Sequence, residues 1–204
     1  MKYLPLSSSF YTLTRNAFMQ KMNGNSLAVF NSNDIYPISA DSTMPFQQHR
    51  DIFYLTGIDQ EETILLLFPN ANNRENREII FIKETSTHSA IWEGTKYSKK
   101  ETKEISGIST VYWLKDFDKI FSSLCSECDI IYWNTNEHYR ADSQTQTRED
   151  RFISRYKPMF PAHQSGKSNP ILQVLRAIKA SEEISQIQKA CNITEKGFRR
   201  VLKF

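Results

Sequence analysis

The chain lacks most of the features that announce chemistry. Its 204 residues hold only six glycines and three cysteines, and they contain no glycine-rich phosphate loop and no G-x-S-x-G elbow. The longest continuous apolar run, Ile64 to Phe68, stops at Pro69, whereas a membrane span needs about 20 apolar residues. The opening Met1-Lys2-Tyr3-Leu4-Pro5 offers no apolar signal-peptide core. Cys125, Cys128 and Cys191 are an odd set without a disulfide framework, so the expected setting is the cytoplasm with reduced thiols. A hydrophobic fraction of 39% with 12% aromatics excludes disordered and low-complexity classes.

Charge of one sign is also missing over most of the length. The first 170 residues carry 19 Lys/Arg against 20 Asp/Glu, and the last 34 carry 7 against 3. The net charge of +3 therefore belongs to one terminal segment, not to a basic stripe interleaved with aromatics. No nucleic-acid or membrane partner is expected.

What is present reads as a layered α/β domain, a mixed β-sheet flanked by helices. Phe10, Leu13, Ala17 and Phe18 give residues 7–22 a helical face. Strands are expected at Ser26–Phe30, Ile52–Thr56, Thr63–Phe68, Glu78–Ile82, Val111–Trp113 and Asp129–Trp133. The nearly unbroken apolar composition of Thr63–Phe68 and Glu78–Ile82 points to central strands covered on both faces. Helices are expected at Asp116–Cys125 and Arg148–Lys157, with Ala162–Asn169 as a polar connector. Beyond Asn169-Pro170 comes a short helix, then a second one capped by Ser181 with Glu182 and Glu183 in its first turn. In that last helix Ile184, Ile187, Cys191, Thr194, Phe198 and Val201 recur at 3–4 spacing up to the end of the chain. Such a stripe needs a partner, on its own domain or in another copy, and the expectation is a piece cut from a longer protein.

Candidate reactive groups do not assemble into a complete set. None of His49, His88, His138 and His163 stands at metal-ligand spacing from another His or Cys. Glu137, His138, Asp142 and His163 form a ligand group only by selection. Cys125-x-x-Cys128 falls at the end of a predicted helix, whereas a redox pair belongs at a helix N-terminus. Two small buried thiols are the simpler reading.

The segment Pro45-Phe46-Gln47-Gln48-His49-Arg50-Asp51-Ile52-Phe53-Tyr54-Leu55-Thr56-Gly57 resembles the signature of the N-terminal domain of Xaa-Pro aminopeptidases (aminopeptidase P). Ala90-Ile91-Trp92-Glu93-Gly94 resembles that family's Trp-x-Gly segment, and Leu175 to Ile184 its junction with the catalytic domain. Gln47 and Ile38-Ser39 depart from the usual Arg and Arg-Asn.

The resemblance implies a creatinase/prolidase N-terminal domain of ribonuclease H-like layering over 1–170. A linker helix and the start of a pita-bread catalytic domain would occupy 171–204. It further implies an enzyme that removes the residue preceding proline, using two divalent ions, usually manganese, held by two Asp, one His and two Glu beyond Phe204. The chain itself would hold no metal and be inactive. Its role would be to build a homo-oligomer and cover the cleft that receives a proline-containing peptide. Trp92 is the expected cleft residue, its indole packing on the substrate's proline ring or walling the cleft; ordinary packing is the alternative. Asp41 falls where the family has the Asp of an Arg-Asn-x-Asp segment and would bind a substrate amine or a partner's cation, or else stabilise a turn. Two other readings share the domain type: a non-catalytic protein-binding module, as in a histone-chaperone subunit, and a prolidase or creatinase relative.

Overall fold

The computed structural model describes residues 6–84, 94–138, 140 and 143–203. In chain order the strands are β1 (Ser26–Asn31), β2 (Pro37–Ser39), β3 (Ser42–Thr43), β4 (Ile64–Leu67), β5 (Glu78–Ile82), β6 (Thr110–Trp113), β7 (Ile130–Trp133) and β8 (Gln164–Lys167). The helices are α1 (Ser8–Met19), α2 (Arg50–Thr56), α3 (Lys99–Ser106), α4 (Phe117–Cys125), α5 (Arg148–Tyr156), α6 (Ser168–Ala177) and α7 (Ser181–Val201).

Six strands form one mixed sheet in the order β6-β5-β4-β1-β7-β8. Only β4 runs against its neighbours: it is antiparallel to both β1 and β5, while β5–β6, β1–β7 and β7–β8 pair in parallel. Because side chains alternate across a strand, the apolar runs serve two faces at once. Leu27, Val29, Ile64, Leu66, Ile79 and Phe81 point to a core closed by α4 and α5 through Phe117, Phe121, Phe152 and Tyr156. Ala28, Phe30, Leu65, Leu67, Ile80 and Ile82 point to the opposite core, closed by Phe18 of α1, Ile52 and Leu55 of α2, and Leu172 of α6. The expected mixed sheet with helices on both sides is what the chain forms.

Three local readings are corrected and two elements are added. Ile52–Thr56 is not a strand but part of α2. Its aromatic and β-branched composition is overridden by burial of Ile52 and Leu55 three apart, by Asp51 in the first turn, and by Gly57 in the left-handed conformation (φ 70°) at its end. Within 162–169, β8 adds a polar edge strand to β7. Helix α3 follows a capping box between Ser98 and Glu101, and β2–β3 make a small exposed hairpin. In α7 Ala180, not Ser181, precedes the first turn, and its N–H donates to Glu183 Oε2 at 2.9 Å.

The α7 stripe does not fold back on the domain. Ile184, Ile187, Phe198 and Val201 are all exposed, Phe198 at 66%. Among the described residues no helix is long and apolar enough to cross a membrane.

Candidate functional site

The carboxyl ends of the parallel strands β1, β7 and β8 lie side by side, which is where open α/β sheets gather polar residues. The chain leaves them at Asn31, Asn134 and Ser168. Against these ends stand the N-terminal turns of α2 and α5, the latter set by a capping box between Thr147 and Asp150.

The segment 45–57 is a joint. Gln48 is buried, and its Nε2 donates to the carbonyls of Ile58 and Gln60 at 3.0 and 2.8 Å, while its Oε1 accepts from His49 N. These bonds fix the entry to α2, and His49 Nδ1 then accepts from Asp51 N at 3.3 Å. Asp51 accepts from Arg176 of α6 at 2.8 Å and from Asn134 Nδ2 at 3.2 Å. The Arg176 guanidinium also lies 5.6 Å from the Tyr54 ring centroid. Burial holds His49 below its ordinary pKa, with Asp51 opposing and Arg176 adding to the shift. The family-like segment thus seats α6, from which α7 leaves after three residues.

Behind Asp51 lies Glu149 of α5, buried at 6% exposure. Its carboxyl accepts from Asn31 N and from Asn31 Nδ2, both at 2.9 Å, and hydrogen-bonds Asn134. Burial pushes its pKa up to about 7, against the pull of those hydrogen bonds and with a smaller push from Asp51. On the other face Arg15, fully buried, donates from Nη1 to Leu55 O (2.9 Å) and Ser106 O (2.8 Å). Its Nη2 pairs with Glu78 at 3.1 Å.

A groove of about 950 Å³ runs under the β2–β3 hairpin, lined by Tyr36, Met44, Gln47, Glu62, Arg148 and Arg151 among others. Asp41 sits exposed in the two-residue turn between β2 and β3, next to Ala40 at φ 49°. Ile38 is exposed on β2, and Gln47 contributes its carbonyl as acceptor for Asn33 Nδ2 at 2.9 Å. Trp92, the other expected site residue, lies outside the described residues, as do His88 and Asp142.

Among the described residues no three His, Cys, Asp or Glu side chains come together as a metal donor set. Glu137 pairs with Lys167, and His163 stands against the Cys125 carbonyl at 2.7 Å. Cys125 and Cys128 are buried free thiols and Cys191 is exposed. A hydrogen bond with Cys128 and burial push the Cys125 thiol well up. A disulfide reagent should accordingly titrate one thiol per chain quickly and the other two only in denaturant; three fast thiols would contradict this packing.

The groups that organise this region, Arg176, Glu149, Asn31 and Asn134, were not singled out as site residues from sequence. The available signal was an acid standing on the apolar stripe of its own helix, Glu149 with Phe152 and Tyr156.

Comparison with known proteins places this joint in a family. The profile described as "Aminopeptidase P, N-terminal domain" matches residues 11–132. The Xaa-Pro aminopeptidase of Escherichia coli is 23% identical over 200 residues, covering 97% of this chain and 45% of that protein. Human Xaa-Pro aminopeptidase 3 is 24% identical over 174 residues, covering 82% and 33%. A Bacillus anthracis structure assigned as an aminopeptidase P superposes with a TM-score of 0.85 at 26% identity, covering 95% of this chain and 46% of that one. The chain spans less than half the length of these relatives. With the profile spanning α1 to β7, the chain belongs to the aminopeptidase P N-terminal domain family.

Proposed function

We propose that the chain is the oligomerising and cleft-covering N-terminal part of a metal-dependent Xaa-Pro aminopeptidase. Residues 1–170 form the domain; 171–204 are the linker helix and the first helix of the catalytic part. The observation that carries this reading is α7: an ordered 21-residue helix whose apolar stripe stays exposed, in a chain spanning 45% of its E. coli relative. The missing half is the natural cover for that stripe. In this reading the catalytic half supplies the donors for two divalent ions, manganese by preference, and the whole protein works in the cytoplasm as a homo-oligomer. The E. coli aminopeptidase P has been captured with the inhibitor Pro-Leu, which supports a proline-containing peptide as substrate. Trp92 and Asp41 are the residues we assign to the cleft, Trp92 against the proline ring and Asp41 toward an amine or a neighbouring subunit.

The test uses the whole protein, loaded with manganese, on a tripeptide and a dipeptide that both carry proline second. Release of the first residue from the tripeptide is the expected result. Cleavage of the dipeptide alone would make it a prolidase relative, and cleavage of neither would leave the binding-module reading.

A further inference from the structure

Helix α7 buries none of its 21 residues. Helices in proteins draw most of their stability from a packed apolar face, and Gly197 inside this one weakens it further. The helix nevertheless carries a regular stripe. Ile184, Cys191 and Phe198 stand seven residues apart, and Ile187, Thr194 and Val201 follow each of them by three. This is the a/d seam of a two-stranded coiled coil, and it is exposed along its whole length.

The stripe is complementary to itself when a second copy runs the opposite way. An antiparallel pair sets each a residue of one strand beside a d residue of the other. Here that brings Ile184 to Val201, Ile187 to Phe198 and Cys191 to Thr194, each twice by symmetry. The large residues fall in the outer layers and the small ones at the two-fold axis.

Charge selects the same direction. Glu182 and Glu183 fill the first turn of α7, Arg199 and Arg200 the last. Among the described residues Glu182 meets only the Ser7 hydroxyl, at 3.4 Å, and Arg200 has no acid, while Arg199 is paired with Glu195 of its own helix. A parallel pair would set acids against acids and bases against bases, and would align the two helix dipoles. The antiparallel pair sets each acidic turn beside a basic one and opposes the dipoles.

We propose that the 204-residue chain dimerises through α7, two copies packing antiparallel about an axis between Asn192 and Ile193. The occupant of the stripe is a second copy of this chain. In a whole protein the catalytic half takes the same place, so the two covers exclude one another. The inference stands on the stripe and its charges and not on the aminopeptidase reading; an inactive parent protein would leave it intact.

Phe198 is 66% exposed, so Phe198→Glu changes two layers of the dimer and leaves the domain's own packing alone. Sedimentation of the chain at high micromolar concentration should show a dimer, and Phe198→Glu should weaken it by roughly a hundredfold. The reaction of Cys191 with a thiol reagent, fast in dilute solution, should slow as the dimer forms. Cross-linking under a copper–phenanthroline oxidant reads the direction. Wild type mixed with Cys191→Ser/Thr194→Cys should give a disulfide between the two kinds of chain, because residues 191 and 194 share a layer; neither chain alone should cross-link. A cross-link within either chain type alone would show a parallel pair and overturn the proposal. So would a monomer at that concentration, or a dimer that Phe198→Glu leaves unchanged.

Discussion

Arg15→Met should be among the most destabilising single substitutions in the chain, costing about 3–5 kcal/mol, the usual range for removing one partner of a buried ion pair. Methionine keeps only the apolar stem, ending where Nε lies, so the substitution removes the guanidinium donors and vacates the space they filled. Arg15 bridges the last carbonyls of two helices, Leu55 of α2 and Ser106 of α3, and reaches Glu78 at the start of β5. All three acceptors lose a charged donor at once, and the two carbonyls lie where water does not replace it. Glu78 is partly solvated, its side chain 21% exposed. Glu78→Gln should therefore cost only about 1 kcal/mol. For a chain of this size 1 kcal/mol moves the melting temperature by about 2–4 °C, so Arg15→Met should lower it by roughly 10 °C and Glu78→Gln by a few degrees. A melting temperature for Arg15→Met within 2 °C of wild type would show that Arg15 is not the tie the geometry makes it.

Gly57→Ala should cost about 3 kcal/mol, from two separable sources. The left-handed conformation (φ 70°) strains any residue with a Cβ by about 1–2 kcal/mol. In addition, a Cβ at this position would stand 2.4 Å from Cζ of Tyr11, so the ring must move. That ring is buried, packs edge-on against Phe10 at 5.4 Å, and its hydroxyl accepts from Leu6 N. Overpacking of this kind adds about 1–3 kcal/mol. Gly24 isolates the first source: it has φ 63°, but its Cβ would meet only Ile130 Cδ1 at the ordinary distance of 3.4 Å. Gly24→Ala should then cost about 1 kcal/mol, and Tyr11→Leu should recover part of the Gly57→Ala loss in the double variant. Equal midpoints for the two alanine variants in urea would remove the steric argument. The closing glycine of the family-like segment is thus explained by α1, through a contact 46 residues away in sequence.

The fold was legible where composition and position agree. β4 and β5 are apolar on every residue that faces inward, and both sit centrally in the sheet, so their composition stated their location. β8 was illegible for the opposite reason: Gln164-Ser165-Gly166-Lys167 has no apolar residue, because an edge strand needs none. Gly166 there lies under the Tyr132 ring, close enough that a Cβ would stand 2.7 Å from it. α2 was misread because Ile52-Phe53-Tyr54-Leu55 has β-type composition, although the helical signs, Asp51 ahead and Gly57 behind, were both present. Arg15 and Glu149 follow a common pattern. Each is a charged residue on the apolar stripe of its helix, Arg15 between Tyr11 and Phe18, Glu149 ahead of Phe152 and Tyr156. A charge at such a position marks a buried polar tie, but partners such as Leu55 for Arg15 and Asn31 for Glu149 lie 40 and 118 residues away, and only folding brings them together. The family was legible because segment 45–57 joins helix to helix with side chains of specific type, and Asp51, Tyr54 and Gly57 each have a contact that other residues would not make.

The central claim is that this chain is a positioning domain and that its chemistry belongs to another half. The most direct measurement is incubation of the purified 204-residue chain with manganese and a tripeptide carrying proline second, followed by quantitation of the released N-terminal residue. The account predicts no release above the rate without protein. Metal-dependent turnover that rises in proportion to the concentration of the chain would contradict it.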